Sequence, residues 1–125
     1  MRILVVDDEV QVARSIERVL RRHGYDVRTA HSGADALAQL DGVGVMLTDL
    51  RMAGMSGIEL AHAVKRTCPE VRCCLMSGDG GALGGIEGAD ITPSQIDARL
   101  GKPFANSDLL EVVARLSSAA PRSTS

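Results

Sequence analysis

The chain has 125 residues, of which 45% are hydrophobic and 24% are charged, and its net charge is −2 with only Tyr25 and Phe104 as aromatic residues. This size fits one domain, and the composition excludes a strongly basic nucleic-acid-binding face and an aromatic platform for stacking bases. No apolar run approaches the ~20 residues of a membrane span, and the N-terminus lacks the pattern of a signal peptide. We expect a cytoplasmic protein without direct nucleic-acid contact or membrane insertion.

Continuous apolar runs predict the strands. The first is ILVV at 3–6, which three acids follow directly. VGVML at 43–47 and VRCCLM at 71–76 are further runs of this kind. Residues 26–30 predict a weaker second strand, and the residues before Lys102 predict a fifth. Runs without polar alternation are typical of strands that are buried on both faces of a parallel sheet.

Helical periodicity fills the intervals between these runs. Apolar residues recur at helical spacing over 12–20, 34–40, 58–64 and 109–116. Ser32 and Ser56 are candidate N-caps of the second and third helices, and Asn106 or Ser107 of the last. The alternation predicts the α/β class: a doubly wound parallel sheet with helices on both faces.

The three cysteines, Cys68, Cys73 and Cys74, indicate free thiols. Three is an odd number, and no second Cys or His pair stands at the spacing of a zinc site. Cys73 and Cys74 lie within an apolar run, so we expect them to be buried.

Acidic residues follow the first and third predicted strands. Asp7 and Asp8 end the first strand and Asp49 ends the third. In open α/β sheets ligands bind beyond the carboxyl ends of the strands. If these strands are neighbours, the three carboxylates converge, and a hard divalent cation such as Mg²⁺ relieves their repulsion. Taken one by one, the same acids could instead be turn or N-cap residues.

Two further polar residues follow strands at the same predicted edge. Ser77 comes after VRCCLM and supplies a hydroxyl, and Lys102 follows the fifth strand and supplies a positive charge. A carboxylate nucleophile, a metal, a hydroxyl and an ammonium together suit phosphoryl transfer, in which catalysis is mainly positioning and charge neutralisation.

The segments VDDE (6–9), TDLRMAGMSGIEL (48–60), LMSG (75–78) and KPF (102–104), in that order, resemble the receiver domains of bacterial two-component response regulators, of the stand-alone single-domain type. The resemblance covers residues 2 to about 117. It implies a flavodoxin-like five-stranded sheet of order 2-1-3-4-5, a receiver domain over 1–117 and a flexible tail over 118–125. It also implies a cis peptide at Lys102–Pro103.

For the site, the resemblance implies that Asp49 is the phosphoacceptor and one ligand of Mg²⁺ or Mn²⁺. Asp8 would bind the metal directly, Asp7 through water, and Arg51 through its backbone carbonyl. Lys102 would pair with Asp49 at rest and with the phosphoryl oxygens afterwards.

Ser77 would hydrogen-bond the phosphoryl group in the modified protein. The implied donor is a phosphohistidine on a sensor kinase or a phosphotransfer protein of a phosphorelay, and an output protein would respond. No catalysis is implied beyond aspartyl phosphorylation and autodephosphorylation of the chain itself.

Two alternatives stay open, and a third is disfavoured. The chain could be an atypical receiver that binds a partner without phosphorylation, or a receiver fragment of a hybrid kinase or transcription factor. A dehalogenase-type phosphatase is disfavoured, because that class needs D-x-D-x-[TV] and here Leu50 and Arg51 follow Asp49.

The sequence departs from the family pattern at several positions. Arg99 stands where the family usually has Tyr or Phe, and an arginine does not bury as a ring does. Residues 78–90 contain six glycines, so we expect the helix there to be short, displaced or mobile.

His23, His31 and His62 show no ligand spacing, and we expect them to be solvated.

Overall fold

The computed structural model describes residues 2–52, 54–77 and 96–119, of which residues 77, 118 and 119 are described by their backbone alone. Five parallel strands form one sheet in the order β2-β1-β3-β4-β5. They are β1 (Arg2–Val6), β2 (Asp26–Ala30), β3 (Val43–Asp49), β4 (Arg72–Ser77) and β5 (Ala98–Gly101). The predicted class and strand order are confirmed.

Four helices accompany the strands in the described part of the chain: α1 (Val10–Arg22), α2 (Gly33–Leu37), α3 (Gly57–Thr67) and α4 (Asn106–Ala119). The predicted caps of α2 and α3 are confirmed: Ser32 Oγ accepts from Asp35 N, and Ser56 Oγ accepts from Glu59 N, both at 3.1 Å. Glu59 accepts in return from Ser56 N at 2.9 Å, which completes a capping box.

Two helix boundaries differ from the expectation. α2 is shorter than the periodicity suggested, because its backbone ends in a turn in which Ala38 N bonds both Ala34 O and Asp35 O. α4 begins at Asn106, so the predicted cap at Asn106 or Ser107 is wrong; both residues lie inside the helix. The helix continues to Ala119, two residues past the predicted end of the domain. Residues 120–125 and the glycine-rich stretch 78–90 lie outside the described residues.

The sheet separates two hydrophobic layers. One layer packs α1 and α4 on one face of the strands and includes Ile16, Leu20 and Val113. The other packs α2 and α3 on the opposite face and includes Leu60 and Val64. Since successive side chains of a strand point to opposite faces, both layers draw on the same strands.

Cys73 and Cys74 are buried, one in each layer, as predicted. Burial raises the pKa of each thiol to about 12. No helix in the described part of the chain combines the length and apolar character needed to cross a bilayer.

Candidate functional site

The register of the sheet brings the ends of β1 and β3 together. Val6 pairs with Thr48 across the two parallel strands, so Asp7 and Asp49 come next at the same edge. Asp8 follows in the loop to α1. One carboxylate oxygen from each of the three acids lies within 4.8 Å of the others. The predicted convergence of the carboxylates is confirmed.

Asp7 is the most enclosed of the three acids, with 0% of its surface exposed. Its Oδ1 accepts a hydrogen bond from the backbone N of Glu9 at 2.9 Å, and its Oδ2 lies 3.1 Å from Lys102 Nζ. A buried carboxylate is tolerated when it is paired with a charge and hydrogen-bonded. Both oxygens of Asp7 therefore have a defined partner, which fixes the orientation of the side chain.

Asp49 lies beside Asp7 with its side chain 14% exposed, and its Oδ1 is 3.2 Å from Lys102 Nζ. Burial raises the pKa of Asp49; the charge of Lys102 opposes this and the charge of Asp7 adds to it. The net effect is a pKa above the ordinary value for an aspartate, because the ionised form is disfavoured in this setting.

Lys102 follows β5 directly, and its peptide bond to Pro103 is cis, as predicted. Burial by itself lowers the pKa of Lys102. The hydrogen bond to Asp7 and the charges of Asp49 and Asp7 outweigh that effect, so its pKa is raised. The ammonium is therefore charged at neutral pH. Its pairing with Asp49 was expected, whereas its contact with Asp7 was not.

The loop after β3 is held through both backbone polar groups of Leu50, the residue after Asp49. Leu50 N donates to Met76 O, and Gly57 N donates to Leu50 O, both at 2.8 Å. A Cβ at position 57 would overlap the backbone carbonyl of Asp49. A glycine at this position therefore allows the start of α3 to approach the backbone of Asp49 closely.

The residues of this cluster fit a divalent cation. Asp7, Asp8 and Asp49 bring three carboxylates together, and the ammonium of Lys102 pairs with two of them, Asp7 and Asp49. Mg²⁺ prefers hard oxygen ligands and commonly keeps several waters, and the exposed Asp8 leaves the cluster open to solvent. Within the described ranges, no other group of three His, Cys, Asp or Glu side chains was found this close together.

A family model for the response regulator receiver domain matches residues 3–114. The chain belongs to this family. Among curated relatives, this receiver domain is 32% identical over 112 residues to response regulator MprA of Mycobacterium avium, a match that covers 88% of this chain and 48% of the relative. The chain spans about half the length of the curated relatives it matches.

Solved structures of receiver domains share the fold. A response regulator receiver domain protein from Clostridium thermocellum superposes with a TM-score of 0.82 at 25% identity, covering 98% of this chain and 96% of that one. Response regulator protein TrrA from Thermotoga maritima, solved in complex with Mg²⁺ and BeF, gives a TM-score of 0.78 at 28% identity, covering 92% and 97%.

Sequence reasoning missed one neighbour of the site. His31, expected to be solvated, is half-buried, and its Nδ1 lies 3.1 Å from the backbone carbonyl oxygen of Asp7. The two residues follow β2 and β1, which are adjacent strands, so the predicted strand order already placed them side by side. His23 and His62 are exposed, as expected.

The structure gives the positions of three further residues that the sequence singled out. Ser77 ends β4 with its Cα opposite Gly101, and the role of its hydroxyl stays a prediction. Arg51 is exposed in the loop after Asp49, and the role of its carbonyl also stays a prediction. Arg99 is exposed on β5, as expected for an arginine at this position.

Proposed function

We propose that Asp49 accepts a phosphoryl group from a phosphohistidine of a sensor kinase or phosphotransfer protein in a Mg²⁺-dependent reaction, and that this modification switches the binding of an output protein. The observation that carries the proposal is the ion pair of Asp49 with Lys102 inside a cluster of three carboxylates. Membership of the receiver family supports two-component signalling as the setting.

The chemistry begins at the carboxylate of Asp49. One Oδ attacks the phosphorus atom; the new P–O bond forms as the P–N bond to the donor imidazole breaks. The imidazole leaves with the electron pair and gains a proton from solvent. Lys102 then donates to the phosphoryl oxygens, where negative charge is concentrated. In dephosphorylation water attacks the phosphorus and restores the free carboxylate.

Asp7, Asp8 and Asp49 would hold the cation, with the Arg51 carbonyl as a further ligand. When bound, Mg²⁺ neutralises charge on the transferring phosphoryl group. Asp7, with both oxygens already engaged, suits contact through water. Ser77 supplies a hydroxyl that hydrogen-bonds the phosphoryl group.

The switch follows from charge. A phosphoryl group adds roughly 1.5 to 2 negative charges and three acceptor oxygens, and a conformation that brings donors to these oxygens gains population. We assign the domain no reaction beyond its own phosphorylation and dephosphorylation, no direct nucleic-acid contact, and a cytoplasmic location beside its phosphodonor.

A phosphorylation-independent receiver is the second candidate. The exposed Arg99 favours it, because a buried-ring switch is not available at that position. The receiver of a longer hybrid kinase or transcription factor would carry the same chemistry as the first proposal.

Intact-protein mass spectrometry with acetyl phosphate tests the proposal. We expect a gain of one phosphoryl group that requires Mg²⁺, is lost in Asp49→Asn and is retained in Asp26→Asn, a matched change at an exposed acid. Absence of modification in the unaltered protein, with no Mg²⁺ binding, would instead support the phosphorylation-independent receiver.

A further inference from the structure

β5 is a short edge strand whose register depends on few side chains. It has four residues and, among the strands in the described ranges, pairs only with β4. Ala98 and Leu100 are buried, whereas Arg99 and Gly101 are exposed. A slip of one residue would expose the buried pair, but a slip of two keeps the alternation. A two-residue slip would move Lys102, which directly follows β5, by about 6.6 Å along the strand direction.

Asp97, directly before β5, binds the neighbouring strand through both backbone and side chain. Its N donates to the carbonyl of Cys73 at 2.8 Å, and its Oδ2 accepts from the N of Cys73 at 2.8 Å. Both backbone polar groups of Cys73 in β4 are thus bonded by a single residue beside β5. A slip of β5 along β4 would separate Asp97 from Cys73.

Two cations neutralise the Asp97 carboxylate. Lys65 Nζ of α3 lies 2.9 Å from Oδ2, and Arg72 Nη1 of β4 lies 3.6 Å from Oδ1. The three side chains are only 12–17% exposed, and Lys65 also donates to the carbonyl of Val71 at 2.7 Å. A slipped strand would leave this mostly buried carboxylate away from its partners, which is strongly unfavourable.

We propose that Asp97 is a positioning residue for Lys102: its carboxylate fixes the register of β5 on β4 and so holds the ammonium at the acidic site. The expected effect of Asp97 on the phosphorylation rate rests on the proposed phosphorylation of Asp49. Its effect on the position of the Lys102 ammonium is independent of that reaction and can be measured in the unmodified protein.

The first test compares Asp97→Ala with Asp26→Ala. Asp26 is a matched control, because it begins β2, the opposite edge strand, and pairs with Arg2 across to β1 at 3.1 Å. The readouts are the ¹⁵N ammonium resonance of Lys102 at constant pH, assigned by its loss in Lys102→Met, and the cross-strand contacts of Cys74 with Ala98.

We expect Asp97→Ala to shift and broaden the Lys102 resonance, because a released ammonium exchanges faster with water, and to weaken the β4–β5 contacts. Asp26→Ala should leave both readouts as in the unaltered protein. Asp97→Asn, which keeps an oxygen acceptor but loses the charge, should give a smaller change in the same direction. If Asp97→Ala does not fold, Asp97→Asn tests whether Asp97 positions Lys102. An unaltered resonance and unaltered contacts in the folded variants would overturn the proposal.

The second test measures the phosphorylation rate with acetyl phosphate at saturating Mg²⁺. Asp97→Ala should slow it by about 10- to 100-fold, as expected for a displaced catalytic group, while Mg²⁺ affinity stays near that of the unaltered protein. In a Lys102→Met background the same change should slow it no further. A full additional loss there would refute action through Lys102. If no variant or parent is phosphorylated, the proposed function fails, and the resonance still decides the positioning role.

Discussion

Lys102 Nζ lies 3.1 Å from Asp7 Oδ2 and 3.2 Å from Asp49 Oδ1, so one ammonium bridges two carboxylates. Lys102 and Asp7 follow β5 and β1, and Asp49 is the last residue of β3, so the contact depends on the relative placement of three strands. One ammonium does not balance two carboxylates, and the remaining negative charge favours the binding of a further cation.

Removal of the bridging ammonium should destabilise the protein unless Mg²⁺ is present. Lys102→Met leaves Asp7 buried without its cationic partner, at an expected cost of about 3 kcal/mol, near the lower end for breaking a buried ion pair. Urea denaturation with and without Mg²⁺ measures this effect. The exposed pair of Arg2 and Asp26 is the control, since Arg2→Met should cost roughly 0–1 kcal/mol. A loss that Mg²⁺ does not reduce would contradict the metal assignment.

Asp49→Asn should raise the melting temperature at neutral pH in the absence of metal. The folded-state pKa of Asp49 is raised, so its contribution to stability is present below the unfolded pKa and is lost as pH rises through the folded pKa. The variant's advantage should therefore shrink as pH falls towards about 4. Thermal unfolding measured across pH tests this prediction, and Asp41→Asn, at an exposed acid, is the control. If the melting temperature of Asp49→Asn gained on that of the unaltered protein as pH fell, the pKa of Asp49 would be lowered and not raised by folding.

Gly57→Ala should disturb the Asp49 loop. The added Cβ meets the Asp49 carbonyl, and overpacking of this kind costs about 1–3 kcal/mol. Phosphorylation of Asp49 should slow as its backbone shifts. Gly101→Ala is the matched control, because a Cβ there meets nothing within 4 Å. Equal melting temperatures of the two variants would count against the close approach of α3.

Only one of the three thiols should react quickly in the folded protein. Cys73 and Cys74 are buried and their pKa is raised to about 12, whereas Cys68 is half-buried. The thiolate is the reactive form. A chromogenic disulfide reagent at pH 8 should label one thiol in the native state and three in urea. Cys68→Ser should remove the fast phase; a fast phase that persists would mean that the layer around Cys73 or Cys74 opens readily.

Periodicity predicted a parallel sheet with helices on both faces. The strand-end residues predicted that Asp7, Asp8 and Asp49 converge if the first and third strands are neighbours, because parallel strands place their carboxyl ends at one edge. The resemblance to receiver domains supplied the strand order that makes them neighbours. The contact between Lys102 and Asp7 was not predicted. It depends on the register of β5, and local sequence does not specify the pairing of a four-residue edge strand. The ion pairs of Asp97 were not predicted either, because they also depend on the position of β5, and Lys65 is 32 residues away in the chain.

Helix ends were the weakest expectation. Side-chain type alone made Asn106 or Ser107 a candidate cap, yet α4 already includes both residues, and Asp108 Oδ2 accepts from Ala105 N at 3.4 Å. His31 illustrates the reverse case. Its lack of ligand spacing along the chain indicated a solvated residue, while its position beside Asp7 follows from strand order.

The two hydrophobic layers on either side of the sheet have a consequence for how the sequence can vary. Each buried side chain contacts partners in one layer, and distant sites without shared partners contribute independently to stability. The interior around α1 and α4 can therefore be rebuilt without compensating change around α2 and α3. At the carboxyl edge Lys102 contacts both Asp7 and Asp49, so we expect substitutions at these three positions to depend on one another.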